Sequence, residues 1–146
     1  MKISLDMCSI QRPLDTKTQP RIAMEAEAIL GILTLCETGQ VELMTSDTLV
    51  FEIERNPHPV RKKYALEVLA KATVFVHTDS PIEARARAFQ AQGIKPIDAL
   101  HLASAVAAKA QYFCTCDDRF LRRAQAVDTG QTKVVSPLEL IAEVTA

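Results

Sequence analysis

Four acidic residues in this chain stand where carboxylates could be gathered for phosphoryl chemistry. Asp6 directly follows a short apolar run containing Ile3 and Leu5, and Asp117 directly follows Tyr112 to Cys116. Glu52 falls about two turns into the segment after a second strand-like run, and Asp98 sits in the first turn of a segment opened by Pro96. In an open parallel sheet, ligands bind beyond the carboxyl ends of the strands, where strand order reverses. If the strands ending at Asp6 and Asp117 are neighbours across that point, their carboxylates converge. Like charges a few ångströms apart raise one another's pKa. The usual relief is a hard divalent cation with oxygen ligands, Mg2+ or Mn2+. An ion so held activates water and neutralises charge on a phosphodiester. Thr115, two residues before Asp117, is placed to support that carboxylate or a water through its hydroxyl.

Each acid taken singly has an ordinary reading. Asp6 could be a strand-end turn residue, Asp98 a first-turn carboxylate favoured by the helix dipole, and Asp117 an N-cap. Glu52 could be a solvated helix residue. The chemical reading rests on all four falling where one cleft would form. The three histidines, His58, His77 and His101, are scattered, and there is no Gly-x-Ser-x-Gly elbow to suggest a nucleophilic triad. His101, one helical turn after Asp98, is expected to be structural or exposed. Cys114 and Cys116 are one strand period apart, which fits neither a CxxC redox pair nor a zinc knuckle, and they read as packing residues.

The elements that must position the acids follow from periodicity. Strands are expected over 1–6, 41–45, 73–77, 112–116 and 133–135. Helices are expected over about 20–37, 47–55, 60–71, 80–93, 96–109 and 117–126, with a last one opened by Ser136-Pro137. The polar stretch Gln11 to Gln19, punctuated by Pro13 and Pro20, reads as a loop. Strands and helices alternate throughout. That order argues for an α/β fold, a parallel sheet with helices on both faces.

The composition sets broad bounds. The chain has 146 residues, which suits one core and a single domain over 1–146. Apolar residues make up 48% and aromatic residues only 5%, so Leu, Ile, Val and Ala must build the core. The net charge of -1 neither indicates nor excludes a nucleic-acid partner, since binding depends on where charges sit. No apolar run approaches the roughly 20 residues that span a bilayer, and MKISLDMCSI is too quickly acidic for a signal peptide. No membrane contact and a cytoplasmic setting are therefore expected, with reduced cysteines.

Four stretches resemble the PIN-domain family, which includes the VapC-like toxin ribonucleases of bacterial toxin–antitoxin pairs. They are Ile3-Ser4-Leu5-Asp6, Ser46 through Glu52-Ile53, Pro96 through Ala105, and Thr115-Cys116-Asp117-Asp118-Arg119-Phe120-Leu121. The resemblance implies a Rossmann-like three-layer α/β/α domain with a parallel sheet of about five strands. It implies that Asp6, Glu52, Asp98 and Asp117 are the catalytic acids, with Asp6, Asp98 and Asp117 holding Mg2+ or Mn2+. It further implies an RNA substrate cut with water as the attacking group, a 5′-phosphate product, a homodimer, and a small antitoxin protein able to block the acidic pocket.

Some positions depart from the family pattern. Met7 and Cys8 stand where many relatives carry hydroxyl or amide residues, and Ser9, one further on, is the remaining hydroxyl near Asp6. Asp118 competes with Asp117 for the fourth acid and Glu54 with Glu52 for the second. Among basic residues, Arg12 in the loop and Arg119 and Arg122 after Asp117 are expected to touch RNA phosphates, with Arg123 beside them. An aspartyl-phosphate phosphatase would want an acid at position 8, where Cys8 stands. A receiver domain would carry its acidic pair early, whereas Asp117-Asp118 comes late. The alternative that survives is a catalytically inactive relative that binds RNA or protein.

Overall fold

The computed structural model describes residues 1–146. Lys2–Leu5 forms β1, in which Ile3 and Leu5 point to one side and Ser4 to the other, all buried. Asp6 ends the strand and caps α1, Met7–Gln11, by accepting a hydrogen bond from the Ser9 N–H. A 3-10 turn over Arg12–Leu14 follows, with Pro13 inside it. This short helix and turn replace the first part of the loop expected from Gln11. The cap at Asp6 bends the chain into helix as soon as the strand closes.

Pro20 opens α2, Pro20–Glu37, and Gly39, at φ +79°, follows its end in the left-handed conformation that glycine adopts without strain. β2 is Glu42–Ser46, and the Ser46 hydroxyl caps α3, Asp47–Glu54. α4 (Pro59–Leu69), β3 (Val74–Val76) and α5 (Ser80–Ala91) lead to α6, Pro96–Ala107. β4 is Tyr112–Cys114, two residues shorter than expected. It stops because the Asp117 N–H turns back onto the Thr115 hydroxyl at 3.1 Å. α7 (Asp118–Gln125), β5 (Lys133–Val135) and α8 (Pro137–Val144) complete the chain.

All five strands are parallel, in the order β3-β2-β1-β4-β5. The chain winds outward from β1 through β2 to β3, then crosses back to β4 and β5. The reversal lies between β1 and β4, where Leu5 pairs with Cys114 and the Asp6 N–H donates to the Cys114 carbonyl at 3.1 Å. Two apolar layers sandwich the sheet. Ile3, Leu5, Leu43 and Val135 pack against α2, α3, α4 and α8, and Met44, Phe113 and Val134 pack against α5, α6 and α7. The three-layer α/β/α architecture is the one expected. No helix is long and apolar enough to cross a membrane.

The helix carrying Asp98 is fixed by its own buried face. Ala99, Leu102, Ala103 and Ala105 are fully buried beneath α6. Leu102→Ala is expected to cost about 2–4 kcal/mol of folding stability by urea denaturation, through lost transfer energy plus a cavity. A loss below about 1 kcal/mol would contradict this anchoring.

Candidate functional site

The strand-to-helix turns after β1 and β4 bring two carboxylates to the same cleft at the switch point. Asp6 and Asp117 are both N-caps. Asp6 Oδ1 accepts the Ser9 N–H at 3.0 Å, and Asp117 Oδ1 accepts the N–H groups of Arg119 and Phe120 at 2.9 and 3.1 Å. Capping satisfies orphan helix donors and at the same time locks each side chain's direction. Asp117 keeps its Oδ2 free of any hydrogen bond. So the ordinary reading of these two residues and the chemical one describe the same geometry.

Asp98 comes from the first turn of α6 and Glu52 from α3, on the other side of β1. With Asp6 and Asp117 they line one cleft of about 310 Å³, which His101 also faces and which Met7, Cys8 and Gln11 of α1 close. At Asp98 the neighbouring acids act second to burial. Burial, then the neighbouring Asp6 charge, with Asp117 and Glu52 adding and His101 opposing, push its carboxyl up to about 6. Asp6, only 4% exposed, is also raised by burial, offset in part by the Thr115 hydroxyl, the Cys8 thiol and Ser9.

The supporting hydroxyls sit where the sequence places them. Ser9 Oγ donates to the Cys114 carbonyl at 3.2 Å, tying α1 to the end of β4, and Thr115 Oγ1 receives the Asp117 N–H. Cys8 fills the place of a hydroxyl neighbour: its thiol lies 3.1 and 3.2 Å from the two Asp6 oxygens. The neighbouring Cys116 thiol, burial and the Asp6 charge all push the Cys8 thiol up, so it stays protonated and donates to Asp6.

Two open choices resolve by placement. Asp118 points away and holds Arg21 through two bonds of 2.7 and 2.6 Å, which pull its carboxyl below the usual range. Glu54 is exposed, whereas Glu52 faces the cleft. His101 is buried beside Glu52. It is 4% exposed, lines the cleft, and its Nε2 hydrogen-bonds Glu52 Oε1. The only sequence signal was its position one turn after Asp98.

The basic residues divide. Arg12 is not free at the cleft; it is mostly buried and paired with Asp15 at 2.9 Å and Glu25 at 3.2 Å. Arg122 is exposed and lines neither the acidic cleft nor the pocket beside it. Arg119 does line that smaller neighbouring pocket, which shares Asp98 and Asp117 as a wall.

In donor type, Asp6, Asp98 and Asp117 fit a hard dication. In the rotamers present, no three His, Cys, Asp or Glu side chains converge into a ready-made cation cage.

Fold and cleft together define a doubly wound α/β protein with acids gathered at its topological switch point. The chain belongs to the PIN family, whose model, described as "PIN domain", matches residues 12–126 and so contains Glu52, Asp98 and Asp117 but begins after Asp6. Members of that family are generally nucleases. The fold is similar to the crystal structure of VapBC2 from Rickettsia felis bound to a DNA fragment from their promoter. That likeness has a TM-score of 0.60 at 11% identity and covers 93% of this chain and 98% of that one. No curated protein matches the chain in sequence.

The raised Asp98 carboxyl has a consequence for stability. Its ionised form is disfavoured in the fold, so no penalty exists below its ordinary value of 3.8, and the penalty grows as pH rises through about 6. Asp98→Asn removes it. Discounted for partial exposure, the variant is expected to be more stable than the parent by about 1–2 kcal/mol at neutral pH. In urea denaturation that gain shrinks toward zero near pH 4. A variant no more stable at neutral pH than at pH 4 would contradict the electrostatic reading of the cleft.

Proposed function

We propose that the chain is an endoribonuclease that hydrolyses RNA phosphodiester bonds with Mg2+ or Mn2+ as cofactor. The observation that carries this reading is that Asp6, Glu52, Asp98 and Asp117 all line one cleft. Asp6, Asp98 and Asp117 would hold the ion. Bound there, it supplies Lewis-acid activation of water and charge neutralisation at the phosphodiester. The chain's own residues do the rest. Ser9 and Thr115 keep the β1 and β4 turns in register, and the caps fix the directions of Asp6 and Asp117. Glu52, which lines the cleft, takes a proton from the attacking water. Water oxygen bonds to phosphorus, the bond to the 3′ oxygen breaks, that oxygen takes up a proton, and a 5′-phosphate remains on the other fragment.

The toxin–antitoxin setting is part of the same proposal. Its support is the resemblance together with the fold shared with VapBC2. A small antitoxin protein that inserts a basic side chain into the acidic cleft would silence it by relieving the same repulsion. A homodimeric assembly and a cytoplasmic setting complete this reading.

A second reading has one specific observation behind it. Glu52 is already engaged by His101, as it would be in a relative that holds RNA or protein without cutting it. One assay separates the two. Purified protein is incubated with mixed RNA and magnesium, with and without a chelator, beside Asp98→Asn and Asp117→Asn. The nuclease reading expects cleavage that the chelator abolishes and that each variant lowers by at least about 100-fold. Cleavage that survives chelation, or RNA bound without any cleavage, would refute it.

A further inference from the structure

The acidic cleft has a neighbour of opposite character. Asp98 and Asp117 form one wall of a small pocket whose other walls carry Lys95, Arg119 and Arg123. We propose that this pocket is a phosphate subsite that holds one backbone phosphate of a single nucleic-acid strand beside the phosphate facing the acids. The identity of the strand rests on the nuclease reading; the existence of the anion site does not.

Charge is the first support. The Lys95 and Arg119 side chains make no hydrogen bond or ion pair, and Arg123 Nη1 donates only to the Gly93 carbonyl. The other arginines near the cleft are spent inside the fold. Arg12 pairs with Asp15 and Glu25, Arg21 with Asp118 and Glu25, and Arg61 with Asp15. The α1 side of the cleft presents Met7, Cys8 and Gln11, none of them a cation. Lys95 and Arg119 are therefore free to meet a polyanion that reaches the acids from this flank.

Size and anchoring are the second support. The pocket holds about 20 Å³. That suits one oxygen-sized group and not a nucleobase, since about one probe sphere of 10–15 Å³ is what a water needs. Gly93 ends α5 at φ +97°, and a Cβ there would stand 3.3 Å from Arg123 Nη1. The bond to the Gly93 carbonyl thus holds the guanidinium against the pocket with its other N–H groups still available to an anion. Next to two carboxylates, a phosphate is repelled unless cations of this kind offset them. The shared wall makes the two positions adjacent, so the pocket sets which way a strand lies across the acids.

The test is fluorescence anisotropy of 5′-fluorescein-labelled dodecauridylate, in chelator and low salt, with the full chain. Lys95→Gln plus Arg123→Gln is expected to raise Kd at least about tenfold and to lower the log–log salt slope by roughly 0.7, one phosphate contact on a single strand. Lys63→Gln, at an exposed α4 residue that does not line the pocket, is expected to change neither. If the double variant loses its fold by circular dichroism, Lys95→Gln alone decides, because its side chain supports nothing in the fold. The proposal is overturned if the parent does not bind, if the pocket variants bind as the parent does, or if Lys63→Gln weakens binding equally. Polyglutamate of matching charge competing as well as unlabelled oligouridylate would also overturn it, by pointing to an acidic protein. A parallel arm with magnesium and a cleavable RNA keeps the two readings apart. Binding through Lys95 and Arg123 without cleavage sinks the nuclease and leaves the subsite; cleavage whose KM is unmoved by Lys95→Gln sinks the subsite and leaves the nuclease.

Discussion

Carboxylates crowded into a half-buried cleft repel one another, and a fold that tolerates this must hold them there by other means. Here the means are the strand-to-helix turns at the β1/β4 switch point. Asp6 and Asp117 are kept in place because each caps a helix, which gives back hydrogen bonds in return for the proximity of like charges. Asp98 is kept in place by the fully buried face of α6 beneath it. Asp6 and Asp117 thus carry charge and cap a helix with the same side chain.

The same constraint organises the surroundings. His101 brings a polar ring to Glu52 on one rim, and Cys8 donates its thiol to Asp6 on another. Farther out, Arg12, Arg21 and Arg61 are neutralised by Asp15, Glu25 and Asp118, which holds the 3-10 turn, α2, α4 and α7 together around the cleft. On the α6–α7 flank, Lys95 and Arg119 line a small pocket without ion-pair partners. A near-zero net charge therefore conceals a sharply polarised edge of the sheet.

Much of this could be read from the chain itself, because it is local. Alternating strand and helix patterns pointed to the parallel three-layer fold, and Asp6, Asp98 and Asp117 at element boundaries, with Glu52 two turns into its helix, pointed to one edge of the sheet. The turn into α1 at Met7 was not anticipated, since its residues carry no helical periodicity and its signal is a single cap at Asp6. The fate of Arg12 was hidden for a different reason. Its partner Glu25 lies thirteen residues on, beyond helical spacing, and the Arg21–Asp118 pair joins positions 97 apart. His101 and Glu52, 49 apart, meet only because α3 and α6 flank the same strand ends. Lys95 was passed over because nothing nearby marks a lysine before Pro96 as different from any exposed lysine.

The most direct measurement is an NMR titration of the Asp98 carboxyl carbon with and without millimolar Mg2+. Without the ion the account expects a midpoint near 6. With it, the midpoint should fall to or below the ordinary carboxylate value, because a bound dication replaces repulsion by attraction. A midpoint already near 4 without the ion, or one that magnesium leaves unmoved, would contradict the claim that these acids are gathered to hold a cation.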